Sequence, residues 1–242
     1  MSISTDWFVS WFDSPYYHIL YKHRNNSEAQ FFMNNLTAFL KIPKGASIID
    51  LPCGKGRHAK YLSELGYKVT GLDLSKNSIA EAKNYESDFL HFDVHDMRNP
   101  LNQKYDAILN LFTSFGYFNT DEEDLLVLSN FKKALKPGCF AVIDFINIEK
   151  AIHQLVLKET KIIDGIEFNI TKKIQEGFIV KEITINDKGS ISKFYEKVKC
   201  INFEKIKKYL ELVGFDLYHT FGNYNLEKFD KKTSDRLILV VR

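Results

Sequence analysis

The rhythm of apolar and polar positions changes twice along this chain. Up to about residue 40 the apolar residues recur at helical spacing. In "WFDSPYYHILYKHRNNSEAQFFMNNLTAFLK" the side chains of Phe31, Phe32, Leu36, Phe39 and Leu40 share one stripe. "IPKGAS" breaks it. From Ser47 onward, short apolar runs alternate with amphipathic stretches. "SIIDL" reads as a strand, "GRHAKYLSELG" as a helix closed by Gly66, and "KVTGLDL" as a second strand. "SKNSIAEAKNY" opens a helix on Ser75 as N-cap. "FLHFDVH" is a third strand, and "YDAILNLF" a fourth, nearly all apolar, as a strand buried on both faces is. "DEEDLLVLSNFKKAL" is a helix stopped by "KPG", and "CFAVIDFIN" the fifth strand. Strands interleaved with helices predict a parallel sheet covered on both sides.

The second change falls near Ala151. Between there and Cys200 come short alternating runs, "ETKIIDG", "IEFNITKKIQ", "GFIVKEITIND" and "GSISKFYEKVKC", with hairpin signals at "DG", "EG" and "DKGS". This predicts an antiparallel insertion at the end of the sheet. One more helix, "FEKIKKYLELVGF", follows. "DLYHTFG" and "RLILVVR" then read as a closing hairpin around the polar loop "LEKFDKKTSD". The expected division is a helical cap over 1–45, a core over 46–150 and 201–242, and an insertion over 151–200 that serves as a lid or a dimerisation surface.

Composition narrows the field. A length of 242 residues suits one large domain, or one domain with an insertion. With 33 basic and 31 acidic residues the net charge is +2, too small a field to argue for nucleic acid or an anionic membrane. The N-terminus lacks the basic start and unbroken apolar core of a signal peptide, and no apolar run is long enough to span a bilayer. Cys53, Cys139 and Cys200 form no paired spacing. His18, His23, His58, His91, His95, His153 and His219 show no metal spacing. The expectation is a reduced, cytoplasmic, metal-free protein.

The candidate chemistry sits in "IIDLPCGKGRHAKYLSELGYKVTGLDLS". A glycine loop between a first strand and a helix lets a ligand approach the backbone at the positive end of the helix dipole. An acid ending the next strand, here Asp73, can take two ribose hydroxyls. A turn with glycines for tight packing is the plain alternative. A dehydrogenase would begin near its first strand and show G-x-G-x-x-G, whereas this chain places over forty residues before it.

With "DVHDMR" after the third strand and "NLFTSFGYF" after the fourth, the set resembles the class I S-adenosylmethionine-dependent methyltransferases. It is most similar to bacterial small-molecule enzymes with a strand-rich insertion before the last helix. The resemblance implies a Rossmann-like three-layer α/β sandwich, with a seven-stranded, mostly parallel sheet of order 3-2-1-4-5-7-6. It also implies S-adenosylmethionine as cofactor and S-adenosylhomocysteine as product. Asp50 and the backbone of Leu51, Pro52, Cys53, Gly54 and Gly56 would line the methionine part. Asp73 would take the ribose hydroxyls and Leu74 would pack on adenine. Asp96 would accept from the adenine amino group while the Met97 N–H reaches a ring nitrogen. Asn110 and Leu111 would lie under the sulfonium.

Methyl transfer from a sulfonium is an in-line displacement in which positioning and desolvation supply most of the rate. The sequence therefore identifies no catalytic residue. Tyr17 and Tyr21, an i,i+4 pair, and Tyr117 are the candidates, with Tyr16, Ser114, Phe115 and Arg24 nearby. The N-terminal tyrosines serve equally well as core aromatics. Two further readings stay open: a non-catalytic cofactor-binding module, and a methyltransferase for a macromolecule. "NLFTSF" lacks the D/N-P-P-Y/W pattern of DNA amino-methyl transfer. Pro52 fixes its φ near −65° and offers no N–H. The expectation there is a negative φ and a strand that ends after Leu51, with the closest backbone approach at Gly54 and Gly56.

Overall fold

The computed structural model of this chain describes residues 7–22 and 26–242. Its centre is a seven-stranded sheet. In chain order the strands are β1 (Ser47–Asp50), β2 (Lys68–Asp73), β3 (Leu90–Val94), β4 (Tyr105–Asn110) and β5 (Leu135–Ile146). A second sheet contains β6 (Lys158–Ile163), β7 (Ile166–Gln175), β8 (Phe178–Asp187) and β9 (Ser190–Lys199). The chain then returns to the first sheet as β10 (Leu217–Phe221) and β11 (Arg236–Val241). The order β3-β2-β1-β4-β5-β11-β10 is the expected 3-2-1-4-5-7-6 of the core strands, with β11 antiparallel to both neighbours.

Successive strand residues point to opposite faces, so Ile48 and Ile49 enter different halves of the core. On one side α3 (Asn26–Leu40), α4 (Arg57–Glu64) and α5 (Lys76–Ala82) bury Phe32, Leu36, Leu62 and Ile79 against Ile48, Ala107 and Leu109. On the other, α6 (Asp121–Ala134) and α8 (Phe203–Leu212) bury Val127, Phe131, Ile206 and Leu210 against Ile49, Ile108 and Ile143. Each such side chain contributes roughly 1.5–3 kcal/mol when fully buried.

The N-terminal aromatic stretch forms three helices rather than one continuous helical run. Ahead of α3 stand α1 (Trp7–Phe12) and α2 (Pro15–Leu20). Ser14 adopts an extended conformation and accepts from the Tyr16 N–H, and Pro15 takes the first helical position. Proline there starts a helix and cannot continue one. The "KPG" stretch also differs from expectation. Leu135 is already extended and pairs with Tyr105, and Gly138 sits at φ 76° in an irregular step of β5. The helix thus passes directly into the strand.

The insertion is a separate antiparallel sheet of order β6-β7-β8-β9, preceded by α7 (Ile148–His153), which straddles the expected boundary at 151. Its three hairpins turn on Asp164-Gly165, Glu176-Gly177 and Lys188-Gly189, every residue with positive φ. Such two-residue turns match the twist of the strands they join. Phe168, Ile170, Ile183 and Ile185 are buried in the same core as Trp11 and Phe115. Lys199, at the end of β9, is buried against the carboxylate of Asp124 on α6. Among the described residues no helix is long and apolar enough to cross a membrane.

Candidate functional site

A cavity of about 510 Å³ opens at the carboxyl ends of β1, β2, β3 and β4. That is where ligands bind in open α/β sheets. Its floor is the loop after β1. Leu51 still extends the ladder, its N–H donating to the Leu109 carbonyl at 2.9 Å, and the Cys53 N–H donates to Leu72 at 2.8 Å. Pro52 lies between them with no N–H to place, and it is absent from the residues of positive φ; its peptide bond with Leu51 is cis. Gly54 sits at φ 55° with open space where a Cβ would be, so the backbone there is bare to the cavity.

Gly56 is placed differently from expectation. It lies at φ 80°, and a Cβ on it would stand 2.6 Å from the Phe92 ring. It therefore packs the start of α4 against β3 and does not line the cavity. Asp50 and Asn110 also lie beneath the cavity wall and not in it. Asn110 donates to the Leu51 carbonyl at 2.8 Å, leaving its Oδ1 buried without a partner. Neither Asp50 carboxylate oxygen has a partner of full hydrogen-bond geometry. Burial, with the charge of Asp73, pushes the Asp50 carboxyl up to about 8, against the opposing pull of the Ala59 amide and Arg57.

Asp73 does line the cavity. Its carboxylate accepts the Gly54 and Ser75 N–H groups, each at 2.8 Å, which ties the loop to the end of β2. Burial raises its pKa and those amides partly offset the rise. Leu74, Asp96, Met97 and Leu111 share the wall. Asp96 is gripped by Arg98, whose Nη2 reaches Oδ2 at 2.6 Å while Nη1 reaches Glu123 at 2.9 Å. Burial would raise Asp96, but the hydrogen bonds from Arg98 outweigh it and hold the carboxyl below the ordinary range.

The far wall is aromatic. Phe12, Tyr17, Tyr21, Tyr117 and Phe118 line it, with Ser114 beside them. Tyr17 meets Phe12 at 4.9 Å and Tyr21 at 5.1 Å between ring centroids. Tyr16 points away and donates to Asp187 on β8 at 3.1 Å. Phe115 is wholly buried in the core. Arg24 and His23 lie outside the described residues.

Among the cavity residues that the sequence reading does not single out are His58 and Phe112. His58, on the first turn of α4, stacks on Phe112 at 4.9 Å with its Nε2 buried and unpartnered. Burial, reinforced by the Arg57 charge, depresses it to about 3, so it is neutral at ordinary pH. Phe112 and Thr113 both adopt positive φ, 60° and 64°. Buried Asp144 holds that turn, accepting from the Phe112 N–H at 2.8 Å, Tyr224 at 3.1 Å and Arg236 Nε at 2.7 Å. His58 follows the loop glycines directly and was legible as a neighbour of the loop. The Asp144–Arg236 pair is 92 residues apart and leaves no local signal. Among the described residues no group of His, Cys, Asp or Glu side chains is set to hold a metal ion.

Residues 48–138 match a family model described as a methyltransferase domain. A dTDP-3-amino-3,4,6-trideoxy-alpha-D-glucopyranose N,N-dimethyltransferase of Streptomyces venezuelae is 31% identical over 106 residues, 43% of this chain and 44% of that protein. A solved S-adenosylmethionine-dependent methyltransferase from Clostridium acetobutylicum superposes with a TM-score of 0.79, covering 94% of this chain and 95% of its own. The matched residues 48–138 contain the glycine loop, Asp73 and Asp96. The solved CalS10, an amino pentose methyltransferase from Micromonospora echinaspora with S-adenosylmethionine bound, has a TM-score of 0.70 and covers 94% of this chain and 96% of its own. Both structures are 18% identical to this chain, a likeness of fold alone. The chain aligns to less than half the length of the curated Streptomyces relative.

Proposed function

We propose that this chain transfers a methyl group from S-adenosylmethionine to a small-molecule acceptor carrying a nitrogen or oxygen nucleophile. The observation that carries the reading is one continuous cavity, with a bare glycine loop and acids at one end and aromatic rings at the other. The residues fit the cofactor. Each Asp73 oxygen holds one amide N–H and keeps a lone pair for a ribose hydroxyl. Asp96 lies at the end where an adenine edge would sit, with its orientation fixed by Arg98. Asp50 and Asn110 lie buried behind the loop, where they support its backbone and do not line the cavity.

S-adenosylmethionine supplies a methyl group already activated on a sulfonium. What remains for the protein is to orient, to exclude water and to hold the acceptor in line. Ring faces of Tyr17, Tyr117 and Phe12 attract positive charge and shed water. The second sheet backs the helices that carry two of those rings. The amino-sugar substrate named for the Streptomyces relative makes nitrogen the nucleophile we favour.

The test is release of S-adenosylhomocysteine when the protein is incubated with S-adenosylmethionine and a panel of amino sugars and simple amines. No release from any acceptor would favour a binding module. In calorimetry, Asp73→Ala is expected to weaken S-adenosylmethionine binding about ten- to a hundredfold, the worth of one charge-assisted hydrogen bond. Unchanged affinity would mean that a different acid meets the ribose.

A further inference from the structure

Tyr21, at the end of α2, lines the cavity, yet its hydroxyl is held from the second sheet. Its Oη lies 2.7 Å from Glu196 Oε1 and 2.9 Å from Oε2, and it accepts from the Lys181 ammonium at 2.6 Å. Lys181 also donates to Glu196 Oε2 at 3.1 Å, and the indole N–H of Trp11 donates to Glu196 Oε1 at 2.7 Å. Lys181 and Glu196 face each other directly across β8 and β9. Their side chains are 12% and 15% exposed. On the same face, the pairs before and after them are Ile183–Phe194 and Ile179–Val198.

An ion pair inside an apolar face is weak as a source of stability, because apolar residues of similar size often do as well or better. What the pair adds is direction. Glu196 receives the donors of two aromatic side chains that stand 10 residues apart on different helices, and Lys181 balances its charge. Trp11 in turn packs edge-on against Tyr17 at 5.7 Å, and Tyr17 lines the cavity beside Tyr21. The two sheet residues thus reach the cavity wall without lining it.

We infer that Glu196 and Lys181 are positioning residues for the donor cavity, fixing the Tyr21 hydroxyl and the Trp11 ring so that the second sheet sets the affinity for an adenosyl sulfonium or thioether. The inference rests on the donor reading above. It differs from simple docking of the sheet, which other ties also provide: Tyr16 to Asp187 at 3.1 Å, and Lys22 to Asp164 at 2.5 Å.

The experiment uses the full chain, with S-adenosylhomocysteine as the probe. Glu196→Ala is expected to weaken its binding roughly tenfold, the scale of one hydrogen bond to a charged group. Asp187→Ala, which breaks a docking tie away from the cavity, is expected to change it less than about twofold. Equal losses in the two variants would reduce Glu196 to a docking contact and overturn the inference. So would unchanged affinity in Glu196→Ala.

A second readout needs no ligand and survives a variant that binds poorly. Ultraviolet titration follows tyrosine ionisation, and Tyr21→Phe backgrounds identify the Tyr21 contribution. Removing the anion in Glu196→Gln leaves Lys181 to stabilise the phenolate, so Tyr21 ionises at lower pH. Lys181→Met removes the cation and moves it to higher pH. Opposite shifts support positioning, and absent or like-signed shifts overturn it. If the unaltered protein fails to bind S-adenosylhomocysteine, the donor reading falls and the affinity half of the inference with it. The titration, read without ligand, tells that outcome apart.

Discussion

A carboxylate buried without a partner costs free energy whenever it is ionised. Asp50 comes close to that position, with only the Ala59 amide drawing on it, and its pKa is raised from 3.8 to about 8. Between those values the folded protein binds more protons at Asp50 than the unfolded chain, so its stability falls as pH rises through the window and levels off above it. Asp50→Asn has no such proton to lose. Its stability relative to the natural protein is expected to rise by about 1 kcal/mol or more between about pH 5 and about pH 9, measured by urea unfolding. A gap that does not change with pH would show that Asp50 is not protonated when folded. Gly56 makes a second residue-scale case. Gly56→Ala must accept φ 80° and push aside the Phe92 ring. The expected loss is about 2–4 kcal/mol in chemical denaturation, and Phe92→Leu in the same chain should recover part of it. At this scale the sequence marked the loop well, because strand, glycines and acid are neighbours in the chain. It could not say which glycine lines the cavity: Gly54 does and Gly56 does not. Local pattern carries no record of the Phe92 ring that decides between them.

Among the elements, the joint between β9 and α6 concentrates charge. Lys199 is buried against Asp124 and reaches Asp121 at 3.3 Å, while Lys205 of α8 reaches Asp121 at 3.0 Å. Burial lifts Asp124 to about 6 even with Lys199 beside it. Lys199→Met would leave that carboxylate without its partner and is expected to cost roughly 3–5 kcal/mol. Lys199→Met with Asp124→Leu should regain most of the loss, since an apolar pair fills the space without charge; denaturant midpoints check both. If the single variant costs nothing, β9 is held by its apolar contacts alone. The strands and helices themselves were legible, because each repeats its pattern over several residues. The three hairpins were marked by glycine pairs. The break at Ser14–Pro15 lay in plain view, but the aromatic stripe on both sides of it favours reading through. "KPG" reads as a stop, yet β5 absorbs it with one irregular step.

For the molecule as a whole, the alternation of strands and helices predicts a parallel sheet covered on both sides, and the strand order is what the resemblance implies. The assembly of cap and insertion does not follow. Trp11 and Tyr21 meet Glu196 across 185 and 175 residues, and Tyr16 meets Asp187 across 171. No periodicity connects stretches so far apart. The same distances have a consequence for how the protein is made. At roughly 5–20 residues per second a ribosome needs about 10–40 s to travel from Trp11 to Glu196. For that interval Trp11, buried in the finished fold, lacks the Phe194 ring and the Glu196 carboxylate that it packs against and donates to. Trp11 waits on a strand made late in synthesis. The yield of folded protein in a cell should then depend on elongation speed and on chaperones that shield the emerging chain, independently of how stable the completed molecule is.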